Sequence, residues 1–386
     1  MRLLYLLTEP LGIGGVQSDM LALSEDLTRK GHEIHIATRP GVLLDEILAN
    51  GARFHDLNFH FQIWNPFGFL RACFGLRRVI RRERLEIVAP QSVRSSIIAW
   101  FALRLLPFSY RVAATGRRIP IVTTIHNIHN PVHFRYAGKI LDRCCDYVIF
   151  ESHYERNRVT AGGLPEDKSE VIHSGIDTDR FRPLDPSAEL AESYGLDKAK
   201  HRIYGIVARL SEEKGHDYLL RAFRKVSEKD PDARLMIVGD GPLMEPTRAL
   251  CTELGLDEVV VFTGMQRNVA EHLALFDVFV LSSTRESFPL AAREAMAAGR
   301  AAIVPRIGGC PEVVDEGKTG YLFESRNVDD LAEQMMKIME QDRYVEFGKR
   351  SRQRVVDLFS RKQWMDGDER VYLAHVMPQE VQLEKP

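Results

Sequence analysis

The sequence contains no apolar run long enough to cross a bilayer, which excludes an ordinary membrane-spanning helix. Its most apolar internal run, SSIIAWFALRLLPF, is interrupted by Arg104. The N-terminal run is broken by Glu9 and Pro10, too early for the apolar region of a signal peptide. Tracts of low complexity and repeats of solenoid period are also absent. We therefore expect a soluble, cytoplasmic chain.

Cysteine is scarce, and its arrangement does not suggest a functional set. The number of cysteines is odd, none forms a CxxC pair, and two of them are adjacent: Cys73, Cys144, Cys145, Cys251 and Cys310. This pattern argues against a disulfide framework and against a zinc knuckle, and it fits a reducing compartment. We expect Cys144 and Cys145 to be buried as small apolar side chains.

Neither sign of charge dominates the whole chain, whose formal net charge is −2, but the charges are unevenly distributed. Residues 61–145 contain fourteen Lys and Arg against three acids, a local net charge of 14 − 3 = +11. Such a block suits an anionic ligand, an anionic membrane surface or a solvated face. Nothing else in the composition points to nucleic acid as a partner.

The order of apolar patterns predicts the fold class. With 386 residues the chain is long enough for about two domains. Short β-branched runs alternate with amphipathic stretches up to about residue 175, and the alternation restarts after the charged passage 180–200. This predicts an α/β protein with two Rossmann-like, doubly wound domains, 1–175 and 176–358. The segment 359–386 is expected to be a helix that crosses back to the first domain.

Ligands of open α/β sheets bind outside the carboxyl ends of the strands, so residues that follow predicted strands are the first candidates. In TEPLGIGGVQ, Gln17 occupies the place of the third glycine of GxGxxG, which argues against a dinucleotide site. Gly14 and Gly15 can still present backbone amides to a phosphate at a helix N-terminus. An ordinary tight turn explains the same two glycines.

In the second half, VARLSEEKGHDYLL places Arg209 after a strand and Lys214 just before a helix. Two cations that flank a helix N-terminus form a suitable clamp for a diphosphate. The next strand ends in IVGDGP, where Gly239 and Gly241 allow a ligand to approach the backbone closely. A solvated loop with chance charges is the alternative for either segment alone.

Two acids eight residues apart, Glu286 and Glu294, lie in SSTRESFPLAAREAMAAG, where a strand leads through a loop into a helix. A carboxylate can accept two hydroxyl donors at once, as adjacent hydroxyls of a sugar ring require. Backbone amides near Phe288 and Leu290 lie at the positive end of the helix dipole. The pattern therefore suits a sugar joined to a phosphorylated ribose. A capping acid and a solvated helical acid are the alternative.

Taken together, these segments resemble the GT-B glycosyltransferases of family 4, a large retaining group. The resemblance covers nearly the whole chain, and its motifs follow in the family's order: GGVQ, TIHN, VIHSGIDTDRF, ARLSEEKGHDYLLRAF, VGDGP, ESFPLAAREAMAAG and GGCPEVVDEGKTGYLF. Two positions depart from the family's pattern. Pro289 stands where glycine is frequent, and His173-Ser174 replaces the usual Pro-Asn before Gly175.

The resemblance implies a role for each candidate residue. The implied donor contacts are Gly14, Gly15, Arg209 and Lys214 for the diphosphate, Glu294 for the ribose, Gly239 and Gln266 for the nucleotide, and Phe288 and Leu290 for the transferred sugar. His126, from TIHN, and Glu286 are implied at the reaction centre, in a cleft where the two domains face each other. The family transfers the sugar with retention, and the leaving phosphate helps to deprotonate the acceptor. Glu286 as a covalent nucleophile is the less favoured alternative.

The function expected from this resemblance is transfer of a hexosyl or N-acetylhexosaminyl group from a nucleotide-sugar, with UDP as the favoured nucleotide, to a saccharide or lipid-linked acceptor. Lipopolysaccharide, other cell-surface polysaccharide and glycolipid synthesis are the expected settings, and no metal or other cofactor is expected. Two alternatives stay open. One is a nucleotide-sugar 2-epimerase of the same architecture, and the other is a non-enzymatic nucleotide-sugar-binding protein.

Several motifs imitate metal sites. DTD at Asp177–Asp179 and DGD at Asp366–Asp368 look like the DxD motif of the other glycosyltransferase fold, but neither follows a parallel strand. HNIHNPVHF brings His126, His129 and His133 together without carboxylate or thiolate support, so one functional histidine with two bystanders is expected.

The stretch FLRACFGLRRVIRRERLEIV supports the hypothesis of peripheral docking on the inner face of the cytoplasmic membrane. Helical spacing places its apolar residues on one face, and Arg71, Arg78, Arg81 and Arg82 largely opposite. The flanking segments add aromatic and basic residues: Phe54, Phe59, Phe61, Trp64, Phe67, Arg111, Arg117 and Arg118. An ordinary sheet-covering helix with a solvated basic face is the alternative.

Overall fold

The computed structural model describes residues 1–12, 14–59, 65–105, 116–126, 128 and 131–377; for 131–133 only the backbone is described. Phe61, Trp64, Arg111, His129 and the side chain of His133 lie outside this description. The chain forms two compact units. Unit 1 comprises Met1–Ser174 with Lys362–Pro386, and unit 2 comprises Gly175–Arg361. The sequence places the corresponding boundaries after residues 175 and 358.

Unit 1 alternates strands and helices in the order that the sequence predicts. Its strands are β1 (Arg2–Leu6), β2 (Glu33–Thr38), β3 (Arg53–Asp56), β4 (Ile87–Pro90), β5 (Val122–Ile125), β6 (Tyr147–Phe150) and β7 (Ser169–Val171). Its helices up to β7 are α1 (Gly15–Arg29), α2 (Leu44–Ala49), α3 (Pro66–Arg82), α4 (Val93–Trp100), α5 (Pro131–Cys144) and α6 (His153–Ala161).

All strand pairs described in unit 1 are parallel. The strands form one sheet in the order β3-β2-β1-β4 and a second in the order β5-β6-β7, and a bridge between Val88 and Ile121 connects the two. Buried apolar clusters cover the sheet, and they include Cys144 and Cys145, as predicted. Parallel strands need crossover helices that cover both faces, which accounts for the largely apolar, buried strands β1, β4 and β6.

Unit 2 has the strands β8 (Arg202–Val207), β9 (Ala233–Val238), β10 (Val260–Gly264), β11 (Val278–Val280), β12 (Ala301–Pro305) and β13 (Gly320–Phe323). Its helices are α7 (Ala188–Ser193), α8 (His216–Lys229), α9 (Met244–Glu253), α10 (Val269–Leu275), α11 (Leu290–Ala297), α12 (Cys310–Val313), α13 (Val328–Met339) and α14 (Arg343–Leu358).

The parallel sheet of unit 2 has the order β10-β9-β8-β11-β12-β13, in which the direction of winding reverses between β8 and β11. Ligands of doubly wound sheets bind outside the carboxyl ends of the strands at this switch point. The predicted α/β class, with two parallel, doubly wound sheets, is confirmed. Within the described part of the chain, every helix is too short or too polar to span a membrane.

The last helix, α15 (Arg361–Val376), packs into unit 1 although it follows unit 2 in the sequence. Trp364, Met365, Val371 and Tyr372 are buried in the apolar cluster that also contains strand β1. At its surface, Lys30 pairs with Asp366 and Glu369 at 2.8 and 2.6 Å. The helix is therefore part of the core of unit 1, and its apolar face is what holds it there.

We predict that Trp364→Ala destabilises unit 1 by about 3–5 kcal/mol, because it removes a large side chain that is 4% exposed and leaves a cavity. Urea unfolding gives the free energy of unfolding. Lys362→Ala, on the same helix, is the control: its ion pair with Asp366 is exposed and contributes at most about 1 kcal/mol. Equal unfolding midpoints for both variants would contradict the packing described here.

Candidate functional site

Residues after β8 and β11, the two strands at the switch point of unit 2, form one part of the candidate site. Arg209 follows β8 and is exposed, and among the described carboxylates it has no ion-pair partner. Lys214 ends a short 3₁₀ turn, Glu212–Lys214, directly before α8. The sequence prediction that two cations flank the N-terminus of this helix is therefore consistent with the observed local structure.

Gly215 fixes the position of Lys214. It is the left-handed N-cap of α8, with φ 62°, and a Cβ on it would lie 2.3 Å from the carbonyl oxygen of Ser282. The hydroxyl of Ser282 donates to the carbonyl oxygen of Lys214 at 2.9 Å. The loop before α8 thus packs closely on the loop after β11, and only glycine fits between them.

This packing brings together Lys214 and Glu286, which the sequence assigns to different parts of a nucleotide-sugar donor. Lys214 Nζ lies 2.6 Å from Glu286 Oε1, and the hydroxyl of Ser283 donates to the same oxygen at 2.7 Å. The side chain of Glu286 is only 11% exposed. Lys214 and Glu286 therefore form a largely buried ion pair at the switch point, supported by a serine that sequence reasoning missed.

Glu294 lies half-buried in α11, at the level expected from the sequence. Burial raises the pKa of its carboxyl group to about 7, although the positive charges of Arg180 and Arg293 act in the opposite direction. Near neutral pH this group therefore exists in both protonation states. Hydroxyl donors from a ligand would favour the ionised form, because hydrogen bonds to a carboxylate stabilise its charge.

Buried side chains hold the loop before α11 in place. The side chain of Phe288 is buried, with its ring 5.5 Å from that of Phe359, and the guanidinium of Arg293 lies 4.1 Å from the centre of the Phe288 ring. Pro289 is the N-cap of α11, and Leu290 is its first residue. What Phe288 can offer to a ligand is therefore its backbone. Arg293, which is 2% exposed, was not singled out from the sequence.

Gly239 and Gln266, the residues predicted to contact the nucleotide, both make structural contacts within unit 2. A Cβ on Gly239, whose φ is 140°, would lie 2.0 Å from the carbonyl oxygen of Ala208, so close packing of β9 against the end of β8 already requires glycine. Gln266 donates its side-chain amide to the carbonyl oxygen of Thr263 at 2.7 Å. Their roles in nucleotide binding stay predictions.

The candidate residues of unit 1 also follow strands. Gly14 and Gly15 lie at the N-terminus of α1, which begins at Gly15 after β1. A Cβ on Gly15 would meet no atom within 4 Å, so the described contacts do not require glycine there. The role of the first-turn amides of α1 in binding an anion stays a prediction.

His126 follows β5 and is held between the ends of the two neighbouring strands. Its Nδ1 lies 2.7 Å from Glu151 Oε1, after β6, and its Nε2 lies 2.8 Å from Gln91 Oε1, after β4. The amide of Gln91 also donates to the carbonyl oxygen of Ala89 at 3.0 Å. All three side chains are buried. His126 is thus a tightly held, interior histidine.

Two more carboxyl groups lie near this histidine. Asp19 Oδ2, on α1, is 3.7 Å from His126 Nδ1. Asp368, on α15, is 1% exposed, and neither of its oxygens forms a hydrogen bond with a described residue. Burial, followed by the charge of Glu151, raises the pKa of Asp368 to about 8. Asp368 is therefore expected to be largely protonated at neutral pH.

Burial by itself lowers the pKa of His126, but the charge and hydrogen bond of Glu151, with the charges of Asp19 and Asp368, outweigh it and raise the pKa to about 9. Sequence reasoning missed Gln91, Glu151, Asp19 and Asp368. The signal for Gln91 and Glu151 was present at the ends of predicted strands: Gln91 directly follows the run EIVAP, and Glu151 lies near the end of the run YVIFES, as His126 ends IVTTIH.

The motifs that imitate metal sites have other roles in the structure. Asp177 Oδ1 accepts the backbone N–H groups of Asp179 and Arg180, at 3.1 and 2.9 Å, and so caps a turn. Asp366 is paired with Lys30 and Lys362. In the third motif, His126 is the histidine that contacts other candidate residues, while His129 and the side chain of His133 lie outside the described residues.

Among the described residues of unit 1, two clusters are spaced closely enough to hold a cation: Glu33, His35 and Glu83, and the group of Asp19, His126 and Glu151. In the first cluster Arg53 pairs with both glutamates. In the second, both ring nitrogens of the histidine already face protein oxygens. Because these atoms are engaged within the protein, we assign a metal to neither cluster.

Comparison with known proteins identifies the family. Residues 13–180 match the family model described as Glycosyltransferase Family 4, and residues 191–354 match Glycosyl transferases group 1. The N-acetyl-alpha-D-glucosaminyl L-malate synthase of Bacillus anthracis is 28% identical over 378 residues, which cover 93% of this chain and 94% of that protein.

A second relative matches over about half its length. The GDP-mannose-dependent alpha-(1-6)-phosphatidylinositol monomannoside mannosyltransferase of Mycolicibacterium smegmatis is 35% identical over 207 residues, 51% of this chain and 54% of that protein. Among solved structures, Anabaena Alr3699/HepE in complex with UDP superposes with a TM-score of 0.82 at 19% identity, over 97% of this chain and 100% of that one. The chain belongs to the GT-B glycosyltransferases of family 4, the group 1 glycosyltransferases, as the motifs of its sequence predicted.

Proposed function

We propose that this glycosyltransferase moves a hexosyl or N-acetylhexosaminyl group, with retention and without a metal, from a nucleotide-sugar to a saccharide or lipid-linked acceptor. The observation that carries the proposal is the contact of Lys214 with Glu286 at the carboxyl ends of the adjacent strands β8 and β11, with Arg209 in the loop after β8 and Glu294 in α11, the helix that follows β11. Cations suited to a diphosphate and acids suited to sugar hydroxyls thus come from the same edge of one sheet.

UDP is the nucleotide that we favour for the donor. The structural neighbour from Anabaena was crystallised with UDP, whereas the relative from Mycolicibacterium uses GDP-mannose by its name. Both nucleotides carry a diphosphate, so the proposed contacts of Arg209 and Lys214 are the same whichever of them this protein uses.

The contacts in unit 2 suggest a separate role for each of these four residues. Arg209 is the cation available to a diphosphate, and Lys214 can turn from Glu286 to the same ligand. Developing negative charge on the leaving diphosphate would then be stabilised by two fixed cations. Glu286, released by Lys214, would accept hydroxyls of the sugar, and Glu294 those of the ribose.

Retention without a protein nucleophile fits the surroundings of Glu286 better than covalent catalysis does. When Lys214 turns to the diphosphate, Oε1 of this carboxylate still accepts a hydrogen bond from the hydroxyl of Ser283, which lowers its nucleophilicity. We propose that the leaving phosphate oxygen accepts the proton of the attacking hydroxyl on the same face of the sugar. His126 would contact the reacting sugar.

The first prediction concerns the donor. In a thermal-shift panel of UDP-, GDP-, ADP- and dTDP-sugars, one nucleotide present at 100 times its Kd adds about 2.7 kcal/mol and raises Tm by several degrees. Arg209→Ala should weaken binding of that nucleotide by roughly 5- to 150-fold, the loss of about 1–3 kcal/mol from a charge-assisted contact.

Arg221→Ala, which removes an exposed arginine from the outer part of α8, is the matched control and should leave the shift unchanged. A panel in which no nucleotide-sugar raises Tm would overturn the proposal. Equal losses in both variants would instead reject the diphosphate role of Arg209.

The second prediction concerns the reaction. The product should carry the anomeric configuration of the donor, measured by ¹H NMR of the newly formed linkage, and EDTA should leave the rate unchanged. Glu286→Ala should lower kcat/KM by about 10²–10³-fold, as loss of one preorganised contact does. Glu316→Gln, at an exposed glutamate of the same unit, is the control.

Azide tests the covalent alternative. If Glu286 were a nucleophile, azide would take its place in Glu286→Ala, displace the nucleoside diphosphate from the anomeric carbon and yield a glycosyl azide whose anomeric configuration is opposite to that of the donor. We expect no rescue. An inverted product, or conversion of the nucleotide-sugar to its epimer without any acceptor, would overturn the proposed reaction itself.

We further propose that helix α3 docks on anionic lipid and brings a lipid-linked acceptor to unit 1. The outward face of α3 mixes three apolar and three basic side chains within an arc of about 100°: Phe67, Leu70, Arg71, Phe74, Arg78 and Arg81. Phe67 is 83% exposed and Phe74 is 56% exposed. A face of this kind suits the boundary between lipid headgroups and acyl chains.

The opposite face of α3 is explained by the core, as the sequence predicts. Cys73, Leu76 and Ile80 are buried, and Phe69 is partly buried. Near the N-terminus of the helix lies a groove of about 570 Å³, whose lining includes Asn58, Arg71 and an ion pair between Arg39 and Asp56, so that its net charge is positive. This polar, basic groove suits the anionic headgroup of an acceptor.

The third prediction is that the wild type binds vesicles of phosphatidylglycerol at low salt, whereas the triple variant Arg71→Ser, Arg78→Ser, Arg81→Ser does not. Each basic residue near the surface contributes about 1 kcal/mol, so the triple variant should bind about 100-fold more weakly. The measurement is co-sedimentation as a function of salt concentration.

The control for this experiment removes three exposed arginines from unit 2, namely Arg221→Ser, Arg306→Ser and Arg350→Ser, and so changes the net charge equally. Phe67→Ser with Phe74→Ser tests the apolar contribution. Equal binding by both triple variants, or no binding by the wild type, would reject docking through α3.

A further inference from the structure

We propose that Glu151 is a positioning residue that keeps His126 doubly protonated, so that the histidine acts as a fixed cation and hydrogen-bond donor instead of a base. The functional part of this inference rests on the proposed function, in which His126 contacts the reacting sugar. The charge state itself follows from contacts within unit 1.

The hydrogen bonds of Gln91 determine which atoms face the histidine. Its side-chain amide nitrogen donates to the carbonyl oxygen of Ala89 at 3.0 Å, so its Oε1 is the atom that lies 2.8 Å from His126 Nε2. An amide oxygen only accepts hydrogen bonds. His126 Nε2 must therefore carry a proton, since two acceptors at this distance would repel each other.

The second ring nitrogen faces a carboxylate. His126 Nδ1 lies 2.7 Å from Glu151 Oε1 and 3.7 Å from Asp19 Oδ2. A neutral imidazole has one N–H group, which cannot serve Glu151 and Gln91 together. Two acceptors on opposite sides of the ring require two N–H groups, and a histidine with both is an imidazolium.

Among the described residues, charged groups from three different parts of unit 1 act on His126. Glu151 follows β6, Asp19 belongs to α1 and Asp368 to α15, while the neutral Gln91 follows β4. Asp368 has no described hydrogen-bond partner, and its raised pKa makes it the carboxyl group that carries a proton at neutral pH. Glu151 is then the directly bonded counter-ion of the imidazolium.

This arrangement limits what His126 can do. With a carboxylate on Nδ1 and a proton on Nε2, it has no free lone pair with which to deprotonate an acceptor hydroxyl. Gln91 is a neutral hydrogen-bond acceptor. An oxygen of the bound nucleotide-sugar can therefore replace it at His126 Nε2–H without loss of a charged contact. The ion pair with Glu151 keeps the ring in place during this exchange.

The charge state is measured on the protein alone by ¹⁵N NMR of histidine-labelled enzyme. The His126 signals among the 13 histidines are assigned by their loss in His126→Asn. We expect both ring nitrogens of His126 to be protonated at pH 7.5 and to titrate with a midpoint of about 9. In Glu151→Gln the midpoint should fall to the ordinary value of about 6.5 or below, because burial is no longer opposed by the adjacent charge.

A neutral His126 in the wild type at pH 7.5, or an unchanged midpoint in Glu151→Gln, would overturn the proposal. Glu151→Asp keeps the negative charge, so His126 should retain a raised titration midpoint in this variant. If Glu151→Gln fails to fold, Glu151→Asp still tests the proposal. Glu166→Gln, at an exposed glutamate of the same unit, is the control and should not move the midpoint.

Activity gives the second readout. As the pH rises, kcat of Glu151→Gln should fall at a pH at least one unit lower than kcat of the wild type does. The ratio of wild-type to variant kcat should therefore be about tenfold larger at pH 8 than at pH 6. A defect equal at all pH values would show a merely structural role and reject the inference. A protein that transfers no sugar would reject the proposed function, while the NMR titration would still decide the role of Glu151.

Discussion

Parallel strand pairing is the constraint on which the candidate site depends. In a parallel sheet all strands end at the same edge, and the chain must leave each end through a loop before a helix returns it. In unit 1 these loops bring Gln91, His126 and Glu151 into contact, although 60 residues separate the first from the last. In unit 2 the same constraint brings Lys214 to Glu286. Each set comes from adjacent strands of its own unit.

Both units place a buried ion pair at this edge. Removing charges from water is costly, and a pair of apolar side chains would often stabilise a fold equally well or better. Lys214 with Glu286 and His126 with Glu151 are therefore poorly explained by stability alone. The pKa of His126 is displaced by burial and by a specific charged partner, and groups of this kind are more frequent at functional sites. Glu294 and Asp368, whose pKa values burial raises, fit the same account.

Local patterns were sufficient to predict the elements that carry the site. The helical pattern of FLRACFGLRRVIRRERLEIV and the helix expected within 359–386 are observed as α3 and α15. Strand ends were also predictable, because β-branched runs end at recognisable turns. Candidate residues chosen by this rule, such as Arg209, Glu286 and His126, do follow strands. Applied more strictly, the same rule would have included Gln91 and Glu151.

Other features depend on contacts between segments that are distant in sequence. Gly239 was interpreted as a place for close approach of a ligand, but the carbonyl group of Ala208 already requires glycine there. Arg293 looks like a solvated residue of an alanine-rich helix, yet it is buried against the ring of Phe288. Asp368 belonged to an apparent metal motif, and the packing of α15 against unit 1 makes it a buried carboxyl group instead. In each case the neighbour that determines the role of the residue lies at least five positions away in the sequence.

The sequence by itself determined the fold class, the family and the residue types available at each strand end, because these depend on periodicity and on motifs that are local in the chain. Only the tertiary structure decided which of those residues meet, which atom of Gln91 faces His126, and how the pKa values of His126, Glu294 and Asp368 are displaced. The physical reason is that protonation and hydrogen bonding depend on burial and on distances of a few ångströms, which strand pairing and helix packing set across the whole of each unit.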